Sequence, residues 1–229
     1  GPFEHLQGRT GSCHWQSFIG DLPVVGSQTK PNYEMIASMK ADLVVYDPQL
    51  YGEDEIAKIE QLGIKTMVWD PKTIDDMIEQ IHQMGAATRS ELKSSEYADK
   101  IYLARQRAQA EAPEVRPTVA LILPGQGGEH MIAGAVSFQA DALAASGGKP
   151  VGPDADRFVP LNAEALVSQN PDVILVAGSN KSVLEDPRLA SIAAVKNGRV
   201  EEITADAALR RGGRVDLFID AVSVMLRSK

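Results

Sequence analysis

Short apolar runs and amphipathic stretches alternate along most of the chain. The apolar runs are rich in β-branched residues and are bounded by polar or turn-forming residues, which is typical of strands buried in a sheet. Alternation of such strands with helices favours an α/β fold built on a mainly parallel sheet. The predicted strands span residues 42–46, 65–69, 118–123, 173–176 and 199–203.

Four segments have the apolar spacing or composition of helices, and two of them have further informative features. Thr73 and Asp76 form a capping-box pattern at the start of one helix, and Gly85 is predicted to end it. Residues 90–112 contain neither Gly nor Pro and are dense in charge, which predicts a helix of about 33 Å at a rise of 1.5 Å per residue. The other two helices are predicted over residues 54–62 and 215–226.

The long charged helix predicts the domain organisation, because it is long enough to join two lobes. We therefore expect an N-terminal α/β lobe over residues 1–87, a backbone helix over 88–113 and a C-terminal α/β lobe over 114–229. A chain of 229 residues fits this organisation, since domains average about 150 residues and can be smaller.

Composition limits the classes of partner. With 44% hydrophobic residues the chain can bury a core, but no apolar run approaches the ~18 residues of a membrane span. The 23 Lys and Arg against 31 Asp and Glu give a net charge of −8, the wrong sign for binding a phosphate backbone, so nucleic acid is not expected as a partner. The single cysteine, Cys13, excludes an internal disulfide and a multi-thiolate zinc site.

An internal repeat relates residues 32–45 to residues 162–175. In both copies Asn is followed two positions later by Glu, then by Asp and a buried strand, which predicts a short helix leading into the sheet. Glu34 and Glu164 are either favourable first-turn residues, because of the helix dipole, or a functional pair with one member in each lobe.

The repeat belongs to a wider resemblance. The segments 31–44, 62–65 and 162–174, placed in this order around the long helix, resemble the helical-backbone (class III) substrate-binding proteins of ABC importers for cobalamin, iron-siderophores and haem. Further matches lie at 8–10, 23–27 and 194–200. In this family a strand and a helix usually precede the position of Gly8, so the first lobe is expected to be incomplete at its start.

The resemblance implies a function and a set of residues. It implies an extracytoplasmic protein, periplasmic or a cell-surface lipoprotein, that binds a metal chelate between two lobes and docks on a dimeric ABC permease through Glu34 and Glu164. Two tryptophans favour cobalamin or another corrinoid over a ferric siderophore or haem, and no resident cofactor is expected. The predicted ligand-binding residues follow strand ends or lie near them: Trp15, Tyr51, Trp69, Gln126, Glu129, His130, Phe158, Ser179, Asn180 and Arg211.

Several of these residues have a structural alternative. Trp69 fits a core position as well as a ligand contact, and the arginines near 211 fit solvent as well as an anionic ligand. Cys13 and His14 lack the further ligands that a metal site needs, so no metal site is expected. The glycine-rich loop 124–130 lacks the Lys-Ser/Thr ending of a phosphate loop, so its glycines more simply admit a ligand to the backbone.

No motif of a catalytic site was found, so we expect a binding protein rather than an enzyme. A chelate scavenger or sensor of the same fold, outside transport, is the main alternative to an importer component. A small α/β enzyme is the remaining alternative, since α/β folds host many chemistries.

Overall fold

The computed structural model describes residues 5–13, 17–27 and 29–227. These residues form two compact units, one holding the chain up to Asp70 with Ala87–Ser90, the other holding Pro71–Ala86 and the chain from Glu91 onward. Helices pack on parallel strands in both units, so the predicted α/β class is confirmed. The division into lobes 1–87 and 114–229 around a backbone helix 88–113 stays a prediction.

The first unit contains two pairs of parallel strands. Its core is formed by apolar side chains from α2, α3 and the loops beside them, with Ile36, Ile56, Ile59 and Ile64 all buried. The predicted strands at 42–46 and 65–69 are confirmed as β3 and β4, which pair in parallel along their whole length. The elements of this unit are β1 Arg9–Thr10, α1 Ser17–Gly20, β2 Val24–Gly26, α2 Tyr33–Met39, β3 Leu43–Tyr46, α3 Glu53–Gln61 and β4 Lys65–Val68.

The second unit is built on one six-stranded sheet with strand order β10-β9-β5-β6-β8, and β7 also pairs with β5. The helix predicted over 90–112 is confirmed as α5, which packs against the predicted C-terminal helix α11. Its elements after Ala86 are α5 Glu91–Ala110, β5 Thr118–Leu123, a 3-10 helix Gln126–Gly128, β6 Met131–Ala133, α6 Phe138–Ala145, β7 Lys149–Pro150, β8 Phe158–Pro160, α7 Ala163–Gln169, β9 Val173–Ala177, α8 Lys181–Leu184, α9 Ala193–Lys196, β10 Val200–Ile203, α10 Ala205–Leu209 and α11 Val215–Arg227.

Strand direction places the loops of the second unit. Strands β5, β9 and β10 are parallel neighbours, so their carboxyl ends meet at one edge of the sheet. Strand β9 is buried at all five positions, as expected for a parallel strand covered on both faces. Strand β6 runs antiparallel to both β5 and β8, so the sheet is mixed at one side.

Helix α4, Ile74–Thr88, does not end where the sequence predicts. It continues for three residues beyond Gly85. A Cβ at Gly85 would lie 2.0 Å from the Ser94 Oγ atom of α5, so this glycine allows close packing between two helices rather than terminating one of them.

The start of α4 is fixed by two sets of hydrogen bonds. The predicted capping box is confirmed, since Thr73 Oγ1 accepts the Asp76 N–H at 3.0 Å and Asp76 Oδ2 accepts the Thr73 N–H at 3.0 Å. In addition, Asp141 Oδ2 of α6 accepts the Ile74 N–H at 2.7 Å across 67 residues of sequence. Burial raises the pKa of the Asp141 carboxyl above its ordinary value. Asp141 therefore anchors residues 71–86 to α6 within the second unit.

We expect Asp141→Ala to lower the free energy of unfolding by about 1 kcal/mol, because it leaves the Ile74 N–H without this acceptor. Asp141→Asn should be close to the parent, since its side-chain carbonyl still accepts this bond without placing a charge in a half-buried position. Urea denaturation at neutral pH measures both variants. Equal destabilisation by Asn and Ala would contradict the capping role.

Candidate functional site

The sequence repeat is also a structural repeat. In α2 the Asn32 side chain accepts the Met35 N–H at 3.1 Å, and in α7 the Asn162 side chain accepts the Ala165 N–H at the same distance. Both helices are seven residues long and end on a residue in the left-handed region, with φ of 50° at position 40 and 43° at position 170. Each then leads into a parallel strand of its own unit, β3 or β9.

Glu34 and Glu164 occupy the same place in these two helices. Each lies in the first turn, where the helix dipole favours a carboxylate, and each is exposed. The caps are made by the preceding asparagines, so neither glutamate is required to start its helix. Each unit therefore presents an exposed carboxylate on a matching helix.

The first unit places Asp47 and Trp69 at the carboxyl ends of β3 and β4. The Trp69 N–H donates to the Tyr46 carbonyl oxygen at 2.8 Å, which extends the pairing of the two strands by one bond. Trp69 is half-buried, and Asp47 Oδ1 accepts the Gln49 N–H at 2.9 Å in a tight turn. Trp15 and His14, which the sequence places near this edge, lie outside the described residues.

Tyr51 has a packing role in the first unit. Only 9% of its surface is exposed, it belongs to the hydrophobic core, and its hydroxyl donates to the Ser27 carbonyl oxygen. Burial raises the pKa of the phenol, as expected for a side chain removed from water. These contacts account for Tyr51 without a ligand.

Two predicted segments meet at the carboxyl edge of the second sheet. Loop 124–130 follows β5, and Ser179 and Asn180 follow the neighbouring parallel strand β9. Gln126, Glu129 and Ser179 are exposed, and so they are available to a ligand. Asn180 Nδ2 donates to the Val200 carbonyl oxygen at 2.8 Å, and a ligand contact by this side chain stays a prediction.

His130 is an internal residue rather than a surface one. Its side chain is fully buried, and Nδ1 accepts the Gly125 N–H at 3.1 Å. Its Nε2 lies 3.6 Å from Asp186 Oδ2, and the Asp186 side chain is 4% exposed. This hydrogen bond joins the two ends of loop 124–130, so His130 stabilises the conformation of the loop.

Asp186 and Arg188, which the sequence analysis does not single out, also lie in this region. Arg188 donates from Nε and Nη2 to the two Asp186 oxygens, at 3.0 and 2.7 Å, and Nη2 also donates to the Gly128 carbonyl oxygen at 2.6 Å. The guanidinium group holds the pKa of the Asp186 carboxyl below its ordinary value. In the sequence, the spacing of two positions between Asp186 and Arg188 is the only indication of this ion pair. No sequence pattern connects the pair to His130 or to loop 124–130.

Phe158 and Arg211 are less closely associated with this edge. Phe158 of β8 pairs with Ala133 of β6. Met131 of β6 pairs with Leu123, the last residue of β5, and Ala133 lies two residues farther along β6, away from that end of β5. Phe158 is therefore set back from the carboxyl edge. Arg211 is half-buried in the segment between α10 and α11.

The arginines on either side of Arg211 have an acidic partner. Arg210 and Arg214 both donate to the Asp206 carboxylate and hold its pKa at about 2. This ion-pair network accounts for two of the three arginines without an anionic ligand.

The described residues provide no metal centre and no membrane-crossing segment. No three of their His, Cys, Asp and Glu side chains are grouped so as to hold a metal ion. Over the same ranges, none of the helices is both long enough and apolar enough to cross a bilayer.

In both units candidate residues follow the carboxyl ends of parallel strands, which is where open α/β sheets place ligands. A family profile described as "Periplasmic binding protein" matches residues 6–207, and the chain belongs to this family. The membership confirms the resemblance seen in the sequence and the prediction of a binding protein rather than an enzyme.

One relative is similar in sequence, and two solved structures are similar in fold. The chain is 29% identical over 160 residues to a protein named vitamin B12-binding protein from Salmonella choleraesuis strain SC-B67, a match covering 67% of this chain and 58% of that relative. The fold is similar to the periplasmic haem-binding protein HutB of Vibrio cholerae, with a TM-score of 0.83, 19% identity and coverage of 96% and 90%. It is also similar to the periplasmic vitamin B12-binding protein BtuF of Vibrio cholerae, with a TM-score of 0.79, 18% identity and coverage of 96% and 87%.

Proposed function

We propose that the protein is the extracytoplasmic binding protein of an ABC importer and that its ligand is a metal chelate. The observation that carries this proposal is the family match over residues 6–207. The matching helices α2 and α7 support it, because two equivalent exposed carboxylates suit a partner made of two equivalent subunits. The chelate is cargo rather than a cofactor of the protein.

Cobalamin or another corrinoid is the ligand we favour. The relative that is 29% identical is named for vitamin B12, and the two tryptophans of the chain offer flat surfaces to a flat macrocycle. Haem is the second candidate, because the fold is also similar to that of a haem-binding protein. Ferric siderophores come next.

Glu34 and Glu164 are the proposed permease-docking residues, and arginines on the permease are their proposed partners. A charge-assisted hydrogen bond at each site would set the orientation of docking. A periplasmic or lipoprotein location follows from this role. A scavenger or sensor of the same fold would bind the chelate but would not need the two carboxylates.

We expect one of three chelates, cyanocobalamin, haemin or ferrichrome, to raise the thermal stability of the purified protein. A ligand present at 100 times its dissociation constant stabilises the folded state by about 2.7 kcal/mol. Differential scanning fluorimetry or calorimetry measures the shift, and the metal-free porphyrin and siderophore are the controls for haemin and ferrichrome. Stabilisation by none of the three would contradict the proposed ligand class.

A further inference from the structure

Three polar side chains, two of them buried, form a cluster that contacts the glycine-rich loop 124–130. Its members, His130, Asp186 and Arg188, are called the His130 cluster below. Burying a carboxylate is costly unless it is paired and hydrogen-bonded, and the Asp186 side chain is only 4% exposed. Arg188 meets this requirement with a two-bond ion pair, and its own side chain reaches the surface at 51% exposure.

Both ends of the cluster bind the backbone of the loop. His130 Nδ1 accepts the Gly125 N–H at 3.1 Å, while Arg188 Nη2 donates to the Gly128 carbonyl oxygen at 2.6 Å. His130 Nε2 lies 3.6 Å from Asp186 Oδ2, which is beyond hydrogen-bond distance. The loop backbone is held on one side by a histidine and on the other by an arginine, and Asp186 lies between them.

The path of the loop leaves no space for a side chain at Gly125 or Gly128, the two residues that bond to the cluster. A Cβ at Gly125 would lie 1.9 Å from the Glu129 carbonyl oxygen, so the chain turns tightly back on itself there. Gly128 has a φ of +81°, and a Cβ at this position would lie 2.8 Å from Arg188 Nη2. The glycines permit this path, and the cluster supplies the hydrogen bonds that select it.

The loop carries two of the exposed candidate ligand residues. Gln126 and Glu129 are joined through the backbone, since the Glu129 N–H donates to the Gln126 carbonyl oxygen at 3.1 Å. They follow β5 at the carboxyl edge of the sheet, where open α/β sheets place ligands. A loop held in one conformation before binding loses less entropy when its ligand arrives.

We propose that His130, Asp186 and Arg188 are positioning residues, which hold loop 124–130 in its ligand-binding conformation so that Gln126 and Glu129 meet the polar groups on the rim of a chelate. This inference rests on the proposed function, because it assigns the loop to the ligand. His130, which the sequence places among the ligand contacts, acts here through the loop.

Three substitutions test the cluster. Arg188→Ala removes the bond to Gly128, and His130→Leu removes the acceptor for the Gly125 N–H. His130→Asn retains an acceptor near the Nδ1 position. We expect Arg188→Ala and His130→Leu to weaken binding of whichever chelate the parent binds by about tenfold or more, and His130→Asn to restore most of the affinity. Hydrogen exchange should speed up at the amides of residues 124–130 in the two weakened variants, without ligand.

Arg107→Ala is the matched control. Arg107 Nη2 donates to both Asp220 oxygens, at 3.0 and 2.8 Å, and the Arg107 side chain is 55% exposed, close to the 51% of Arg188. Arg107 lies on α5, remote in sequence from the loop. This variant should lose a similar charge and ion pair without changing chelate affinity or exchange in residues 124–130.

The outcomes separate the two proposals. If the parent binds none of cyanocobalamin, haemin and ferrichrome, the proposed function is contradicted, and amide exchange alone then decides whether the cluster holds the loop. If the parent binds a chelate and the cluster variants bind it equally well, the positioning role is overturned. An equal loss of affinity in Arg107→Ala would overturn it too. Should Arg188→Ala fail to fold, the comparison of His130→Leu with His130→Asn decides the question.

Discussion

Replacing both Glu34 and Glu164 with alanine should abolish uptake of the chelate while leaving its affinity for the purified protein nearly unchanged. Both side chains are exposed in the first turns of matching helices, and neither makes the cap of its helix. Loss of the carboxylates would therefore remove the proposed charge-assisted bonds to the permease and leave the fold intact. Uptake of labelled chelate by cells with the reconstituted importer measures the first effect, and titration of the purified protein measures the second.

Glu53→Ala combined with Glu91→Ala is the control for this experiment. These residues are also exposed glutamates in the first turns of helices, one in each unit, and the change in net charge is identical. The control should transport normally. Normal transport by the Glu34 and Glu164 double variant, or a large loss of chelate affinity, would contradict the docking assignment.

Trp69→Ala should weaken chelate binding by about thirtyfold, which corresponds to about 2 kcal/mol for loss of an aromatic anchor. Trp69 follows β4 at the carboxyl edge of the first unit and is half-buried, so part of the residue is accessible to a ligand. The backbone bond from its N–H to Tyr46 remains possible in any variant except proline. Isothermal titration measures the affinity.

Trp69→Phe is the matched control for ring stacking, and it should retain most of the affinity. Corrins and haem absorb where tryptophan emits, so binding should also quench the part of the parent's fluorescence that Trp69→Phe removes. Unchanged affinity in Trp69→Ala, with unchanged stability, would remove Trp69 from the site. A loss of stability with unchanged affinity would make it a core residue.

The strands and the long helices could be predicted from the sequence because their signals are local. Strand β5 was predicted to the residue, and α5 within two residues at either end, from short-range alternation and helix-forming composition. The repeat was also visible, and the matching caps of α2 and α7 show that equivalent local sequences form equivalent local structures.

Elements without a local signal were missed. Helix α6 is rich in alanine and buried on nearly every side, so it has no polar face to reveal its period. Strands β6 and β8 have only three residues each, too few to show alternation, and so the antiparallel side of the sheet was not foreseen. Glycine is a common helix end, so the sequence predicts one at Gly85. The residue that explains this glycine, Ser94, lies on another helix and leaves no local signal.

The sequence by itself determined the α/β class, the repeat with its paired glutamates, and the resemblance to a family of binding proteins, since each consists of short local patterns and their order along the chain. Only the tertiary structure decided which candidate side chains face solvent and which serve the fold. Tyr51 lies in the hydrophobic core of the first unit, and the His130 side chain is buried beside Asp186. The bond from Arg188 to Gly128 spans 60 residues, and such contacts depend on the path of the chain, which no local pattern encodes.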